Sequence, residues 1–408
     1  MFDSNSSVIV GLEVGTSKVC AVVGERTPEG GLSIMGVGQA RSRGVRKGEI
    51  VDSTTAAEDI RNAIAEAEQM ANIEIRSVYL GVSGSHIRGF NNRGRHSIVS
   101  VDREITQEDL MDVVKNAKAI NLAADHHVVH VIRQHFLVDG QRGIVNASGM
   151  LGAQLEVDVH VVHGMTNRLQ NQIRAVKGLQ LEVEDIVFNG IASSLAVLNT
   201  QDKELGALMI DIGAGSTEFV VYADGIIKHT GVLAVGGDHI TNDLAYGLKV
   251  SMSRAEQLKI EHGAALVDGT ERGRTICPPN AMGLPERSVN LEHLRRIMSL
   301  RLEETFEIVA EEVEKAGLLD YLRAGVFLCG GCARIPEVTK LASRVFGLPV
   351  VLGQTKSISG LVSTLDQPEF ATGIGLVKFG SFQQGQPKAD GSVASRLKRG
   401  IAQLFQRA

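Results

Sequence analysis

The sequence predicts an α/β chain built of two similar halves that face one ligand between them. Two stretches carry that prediction and a third supports it. Residues 207–222 read ALMIDIGAGSTEFVVY. The apolar run Leu208 to Ile212 has the length of a buried strand, and a glycine-rich turn follows. The return, Glu218 to Tyr222, is β-branched and aromatic. Residues 8–24, VIVGLEVGTSKVCAVVG, repeat the arrangement near the N-terminus. Residues 325–336, GVFLCGGCARIP, lead an apolar run into Gly330 and Gly331, with Arg334 just beyond.

The residue types in the two hairpins suit phosphate. In the first, Val8 to Leu12 is the strand, Glu13 ends it, and Gly15, Thr16 and Ser17 make the turn. In the second, Asp211 takes the place of Glu13, and Gly213, Ala214 and Gly215 form the turn. Ser216 and Thr217 open its return strand. Turns with so little side chain let backbone N–H groups come close to an anion. A carboxylate repels phosphate, yet it can hold a hydrated Mg²⁺ that binds phosphate. Lys18 offers a cation beside the first turn. One such turn is also an ordinary hairpin with an acid in it. Two in one chain suggest halves that share a nucleotide.

Composition narrows the class. With 408 residues, 43% of them hydrophobic, the chain has core enough for about two to four domains. A net charge of −5 argues against general nucleic-acid binding, and the absence of tryptophan against base-stacking platforms. Cys329 and Cys332 form a CxxC, but its glycines belong to the third glycine loop, so a redox or metal role is disfavoured. A reduced, cytoplasmic setting is expected. Residues 1–7 lack the charged start of a signal peptide, and no run approaches a membrane span.

The remaining elements follow in order. Asp52 or Ser53 caps a helix over Thr54 to Met70, and a strand follows over Arg76 to Val82. Arg41, Arg43, Arg46 and Lys47 form either an anion site or, as the better expectation, a solvated loop. Residues 84–162 hold a helix over Thr106 to Ile120 and strands around Val128 to Val138 and Leu155 to Val162. Along a strand, His126 and His130 fall on one face and His127 and His135 on the other, so the four histidines do not share one metal site. Helix Asn167 to Lys177, strand Glu184 to Phe188 and helix Ile191 to Leu198 come next. Ala234 to His239, AVGGDH, places Gly236 and Gly237 before a helix over Thr241 to Leu248. A helix over Ser253 to His262 carries Glu256 and Lys259 on one face, as a surface ion pair or a ligand contact. Residues 266–288 read as loop. A long helix, Leu291 to Lys315, has an apolar stripe through Leu294, Met298, Leu302, Phe306, Val309 and Val313.

In their order, these pieces resemble the actin/Hsp70/sugar-kinase superfamily of ATPases, and within it the FtsA family of bacterial cell-division proteins. The shared stretches are VIVGLEVGTSKVCAVVG, SRGVRKGEIVD, VYLGVSGSHI, EITQEDL, HVIRQHFLVD, IASSLAVL, MIDIGAGSTEFVVY, AEQLKIEHG and LCGGCARIPEV. They cover most of residues 8–380. The resemblance implies an actin-like fold of ribonuclease H-like duplicated domains with an inserted α+β subdomain. Subdomain 1A would take residues 1–83, 163–203 and 356–380, and the insertion 1C residues 84–162. Subdomain 2A would take 204–235 and 322–355, and 2B 236–321.

The same resemblance implies ATP and Mg²⁺ as ligands. Glu13 and Asp211 would hold the metal through water. Gly236, Gly237, Glu256, Lys259, Gly330, Gly331 and Arg334 would join the two hairpins around the nucleotide. Catalytic relatives carry a Glu or Gln that orients the attacking water; Asn189 stands there, or Gly190 if the register slips. Asn cannot act as a general base, so turnover is expected to be slow at most. Implied partners are further copies of the chain in head-to-tail filaments, division proteins met through 1C, and the acidic C-terminal peptide of the tubulin-like protein FtsZ, met by 2B. Arg295, Arg296 and Arg301 are the candidates for that peptide. A role in a membrane-associated pilus or secretion assembly is the alternative.

The C-terminus carries its own physics. Residues 381–391, SFQQGQPKADG, read as a flexible linker. On a helical wheel Val393, Leu397, Ile401, Leu404 and Phe405 fall within an arc of about 120°. Arg396 and Lys398 flank it and Arg399 lies further round. Such a helix lies in a lipid interface and favours anionic headgroups, or else docks on the protein itself. The expected place is the cytoplasmic face of the inner membrane at the division site.

Overall fold

The computed structural model describes residues 8–27, 31–267, 269, 273–277, 288–355, 358–360 and 366–384. The first half opens with β1 (Val8–Val14), β2 (Lys18–Arg26) and β3 (Leu32–Arg41), an antiparallel meander. A small hairpin, β4 (Val45–Arg46) and β5 (Glu49–Ile50), leads to α1 (Ser53–Ala71). Asp52 caps α1 by accepting from the Thr54 and Thr55 N–H groups. Arg43 is exposed, and its guanidinium also pairs with buried Asp59 of α1 at 2.7 Å. β6 (Ser77–Val82) then lies parallel to β1.

The insertion is a sheet with one helix: β7 (Arg88–Ser97), α2 (Gln107–Lys118), β8 (His126–Val138), β9 (Gln141–Ile144) and β10 (Gln154–Met165), in the order β7-β10-β8-β9. Thr106 and Asp109 cap α2 reciprocally. Beyond the insertion come α3 (Thr166–Lys177), β11 (Glu182–Phe188), α4 (Asn189–Val197) and α5 (Thr200–Leu205). Of the four histidines singled out in sequence, His127 is exposed and only His130 is buried. His130 is buried and accepts from the Phe188 N–H at 3.0 Å, and burial pushes its imidazole down to about 3.

The second half repeats the first. β12 (Ala207–Ile212), β13 (Thr217–Ala223) and β14 (Ile226–Leu233) form its meander. Next come α6 (Gly237–Leu248), α7 (Met252–His262), the short pair β15 (Thr275–Ile276) and β16 (Val289–Asn290), and α8 (Leu291–Lys315). β17 (Gly325–Cys329), α9 (Val338–Phe346) and β18 (Val350–Leu352) complete it. The chain then returns to the first sheet with β19 (Ile358–Gly360), parallel to β3, and α10 (Ala371–Gln384), packed on α4 and β1.

The strand orders establish the duplication. The first sheet runs β11-β6-β1-β2-β3-β19 and the second β18-β17-β12-β13-β14. Apart from β19 they match strand for strand, with a hairpin at the centre and parallel strands on one side. The insertion enters after β6 and leaves before α3, so it interrupts neither sheet. It docks on both halves: the Phe188 N–H of the first half donates to His130, while Gln134 donates to the Ile227 carbonyl and Asn91 to that of Lys228, both on β14 of the second.

Two of the boundaries that differ from the sequence reading bear on function. α6 begins at Gly237 rather than Thr241, because paired glycines let the helix start against the second hairpin. α10 continues to Gln384, so the first four residues of the expected linker are helical. The amphipathic stretch 392–408 lies outside the described residues.

α10 approaches α4 more closely than side chains allow. A Cβ on Gly375 would sit 1.7 Å from the Ala192 carbonyl oxygen. Gly375→Ala should therefore destabilise the chain by about 3 kcal/mol, the upper part of the usual range for overpacking a core. A urea midpoint equal to that of the parent would refute this contact.

Candidate functional site

A cavity of about 550 Å³ opens between the two halves. Its floor is made by the matching hairpins. In each, the first turn residue donates its N–H to a carbonyl three residues on: Gly15 to Lys18 at 3.0 Å, and Gly213 to Ser216 at 2.9 Å. Each hairpin thus brings an acid and a bare turn to the same opening. Glu13, Gly15, Thr16, Ser17 and Lys18 line it from one side, and Asp211, Gly213, Ala214, Gly215 and Ser216 from the other. Gly237, Glu256 and Lys259 add a wall from α6 and α7, and Gly330, Gly331 and Arg334 a wall after β17.

Two of the expected residues do not face the cavity. Thr217 is fully buried and its hydroxyl donates to the Val235 carbonyl at 2.8 Å. Gly236 is the cap before α6, where a Cβ would meet the Gly213 and Ala214 oxygens at 2.6 and 2.7 Å. Both shape the second turn from behind. Glu256 and Lys259 pair at 2.6 Å, and both line the cavity. Lys259 also donates to Thr241 and to the Gly237 carbonyl. Lys18 donates to the Glu369 carbonyl at 2.7 Å and lies over the Phe370 ring. Arg334 pairs with the Glu369 carboxylate at 2.6 Å.

The sequence reading missed the hydroxyls and one acid beneath the floor. Asp211 accepts from Ser193 of α4 and from Thr372 of α10, the latter at 2.9 Å. Glu218 of β13 also lines the cavity and accepts from Ser83 and Ser216. Ser83 follows β6, so this bond joins the halves. Glu218 had a signal in sequence, being an acid at the start of a strand that is otherwise apolar. The hydroxyls had none, since Ser and Thr in α4 and α10 are indistinguishable from packing residues.

The acids repel one another in a dry place. Burial pushes the Glu13 carboxyl up to about 7; Lys18 opposes this and Asp211 adds to it. Burial, then Asp211, pushes Glu218 up to about 8. Glu13 Oε2 and Asn189 Oδ1 are buried without a hydrogen-bond partner. Unpaired oxygens of this kind suit a hard cation and its water shell. Among the described residues no three His, Cys, Asp or Glu side chains converge on one metal position. Asn189 is the first residue of α4 and lines the cavity.

The arginines of α8 do not form one face. At 100° per residue Arg295, Arg296 and Arg301 spread around the helix. Arg301 is held by Asp243 at 2.6 Å and by Glu304, and Arg295 donates to the His262 carbonyl. Arg296 is the exposed member. Cys329 and Cys332 are buried thiols, and burial pushes Cys332 up to about 11. That favours the unreactive protonated form.

Comparison with solved structures agrees with this architecture. The chain matches a PilM–PilN type IV pilus biogenesis complex with a TM-score of 0.63 at 15% identity, over 93% of this chain and 99% of that one. It matches MreB5 of Spiroplasma citri bound to AMPPNP with a TM-score of 0.52 at 16% identity, over 92% and 96%. Duplicated sheets around a central cleft, with an insertion after β6, define an actin-like protein. Sequence comparison goes further. The model for cell division protein FtsA matches residues 208–375, and that for the SHS2 domain inserted in FtsA matches residues 84–163. The chain is 37% identical to the cell division protein FtsA of Pseudomonas aeruginosa, over 98% of this chain and 99% of that protein. It is 36% identical to that of Escherichia coli, over 97% of each. The chain belongs to the FtsA family of cell division proteins.

The acid cluster makes stability depend on pH. The Glu13 carboxyl holds its proton to about 7 in the fold, against a usual 4.5, so the folded chain binds more protons than the unfolded one in that window. The contribution of Glu13 to the stability of the unliganded protein should therefore be lost as pH rises from 4.5 toward 8, with Glu218 extending the upper end, while buried His130 and His160, held down at about 3, act in the opposite direction below 6.5. The urea midpoint of Glu13→Gln should therefore gain on that of the parent as pH rises across the window. A difference between the two that did not change with pH would contradict the buried-acid cluster.

Proposed function

We propose that this division protein binds Mg·ATP in its cleft, and that occupancy sets how far the two halves close. The observation that carries the reading is that Glu13 and Asp211, from equivalent hairpins, line one cavity. A fold shared with an MreB bound to AMPPNP supports it. Backbone N–H groups of the turns at 15–18 and 213–216 would cradle the phosphates. Glu13, Asp211 and the Asn189 carbonyl oxygen would hold Mg²⁺ through its waters. The metal, when bound, would neutralise charge on the phosphates. Gly330, Gly331 and Arg334 would flank the adenosine, with the Glu256–Lys259 pair opposite. Asn189 orients water without taking its proton. The site therefore suits a nucleotide held as a conformational switch rather than turned over quickly.

On this reading closed subunits stack head to tail into actin-like filaments. The insertion presents a separate surface to other division proteins. The α6–α8 region meets the acidic C-terminal peptide of FtsZ, with Arg296 the exposed one of its three candidate arginines. Residues 392–408 lay an amphipathic helix into anionic lipid on the cytoplasmic face, and many copies along a filament give firm attachment. The protein thus tethers the division ring to the membrane. The pilus-assembly alternative rests on fold likeness alone, whereas the FtsA match spans nearly the whole chain.

Two measurements test the reading. Asp211→Asn removes one charge and retains an acceptor for Ser193 and Thr372; it should weaken Mg·ATP binding tenfold or more, about the worth of one charged contact. Equal affinities by titration calorimetry would sink the metal role. Removing residues 392–408 should leave nucleotide affinity unchanged and abolish pelleting with vesicles rich in anionic lipid. If the shortened protein still pelleted, the membrane contact would have to lie elsewhere.

A further inference from the structure

The small hairpin of β4 and β5 lies outside both duplicated sheets, yet its tip reaches the cleft. The Gly48 N–H donates to the Thr16 hydroxyl at 3.0 Å, which fixes the tip to the first turn. Gln172 of α3 donates to the Gly48 carbonyl at 2.8 Å. On the other side, a Cβ on Gly215 would lie 2.7 Å from the Lys47 Cα and 2.8 Å from its N, so the Lys47 backbone rests directly on the second turn. The tip therefore bridges both candidate phosphate turns. Lys47 and Gly48 both have positive φ, at 50° and 75°. Lys47 is held there without the freedom of a glycine, a conformation that the surrounding contacts must impose.

The hairpin carries two exposed cations, Arg46 in β4 and Lys47, and Lys47 is the one at the tip. Lys18, the cation expected at the phosphates, is drawn to the Glu369 carbonyl and the Phe370 ring. Lys259 and Arg334 are paired with Glu256 and Glu369. Lys47 is exposed, and its ammonium forms no ion pair among the described residues. Its charge reaches the first turn of α6: after burial, Lys47 is the main influence holding the His239 imidazole below its usual range. The terminal phosphate of a nucleotide lying along the Gly213–Gly215 turn would meet that same corner.

The geometry points to Lys47 as the residue that reads the terminal phosphate, so that the hairpin tip distinguishes a nucleoside triphosphate from a diphosphate. This rests on the nucleotide reading of the cleft. The ammonium closes on the third phosphate, and Gly48 and Gly215 carry the movement to both turns. A diphosphate ends short of the tip and leaves it unengaged.

The test uses the full chain and compares titrations with Mg·ATP and Mg·ADP for the parent, Lys47→Ala and Lys47→Arg. Lys47→Ala should lose about tenfold in Mg·ATP affinity and keep its Mg·ADP affinity, and Lys47→Arg should recover most of the loss. Unchanged Mg·ATP affinity in Lys47→Ala would overturn the inference while leaving the cleft reading standing. So would equal losses for both nucleotides, which would mark the tip as structural only. A parent that bound neither nucleotide would overturn the cleft reading, and this inference with it. Lys47 is exposed at a hairpin tip, so the alanine variant should fold, and a thermal midpoint matching the parent verifies that.

Discussion

One carboxylate oxygen holds the two halves in register. Asp211 Oδ2, from the second half, receives the hydroxyls of Ser193 and Thr372, which belong to α4 and α10 of the first. Both hydroxyls and the acid are buried. A buried carboxylate without such donors would carry a large desolvation cost, and hydroxyls buried without an acceptor would carry their own. Each half therefore completes the other at this point. A second bond, from Ser83 to Glu218, repeats the arrangement a few residues away.

This constraint locates motion. The cleft floor is pinned by hydroxyl–carboxylate bonds, so the halves can change their angle most freely at the mouth. The elements at the mouth are the candidates for sensing a ligand: the first turn of α6, the Glu256–Lys259 pair, the hairpin tip at Lys47 and the segment around Glu369. The insertion is tied to both bodies. His130 holds the backbone of Phe188, next to Asn189 in the cleft, while Gln134 and Asn91 grip β14. A change of angle between the halves must be taken up at one of those contacts.

The fold was legible because its signals are local. Apolar runs of strand length, glycine turns and helix caps are written in consecutive residues, and the repeated acid–glycine–hydroxyl pattern revealed the duplication. Most expected cleft residues lie where the pattern placed them. Thr217 and Gly236 do not, because sequence shows that a residue flanks a turn but not which way it points. Ser193, Thr372 and Ser83 were invisible for a different reason. Their roles come from tertiary contacts over 18, 161 and 135 residues of chain, and nothing local distinguishes them from helix filler. The cluster Arg41, Arg43, Arg46 and Lys47, expected as a solvated loop, is exposed throughout, and Arg43 in addition anchors α1 through Asp59.

The duplication is symmetric in backbone and asymmetric in chemistry. Glu13 and Asp211 occupy equivalent strand ends, but only Asp211 is satisfied by hydroxyls; Glu13 Oε2 has no partner. Equivalent positions have thus diverged into an anchored acid and one with an unpartnered oxygen. Asn189 Oδ1, likewise unpartnered, stands on the same half as Glu13. The unsatisfied oxygens gather on the first half and the structural bonds run from the second. A cation entering the cleft would be met first by Glu13 and Asn189, and would reach Asp211 against the competition of two hydroxyls. Its binding would draw on the same carboxylate that joins the halves, and that shared group is a physical route from occupancy to closure.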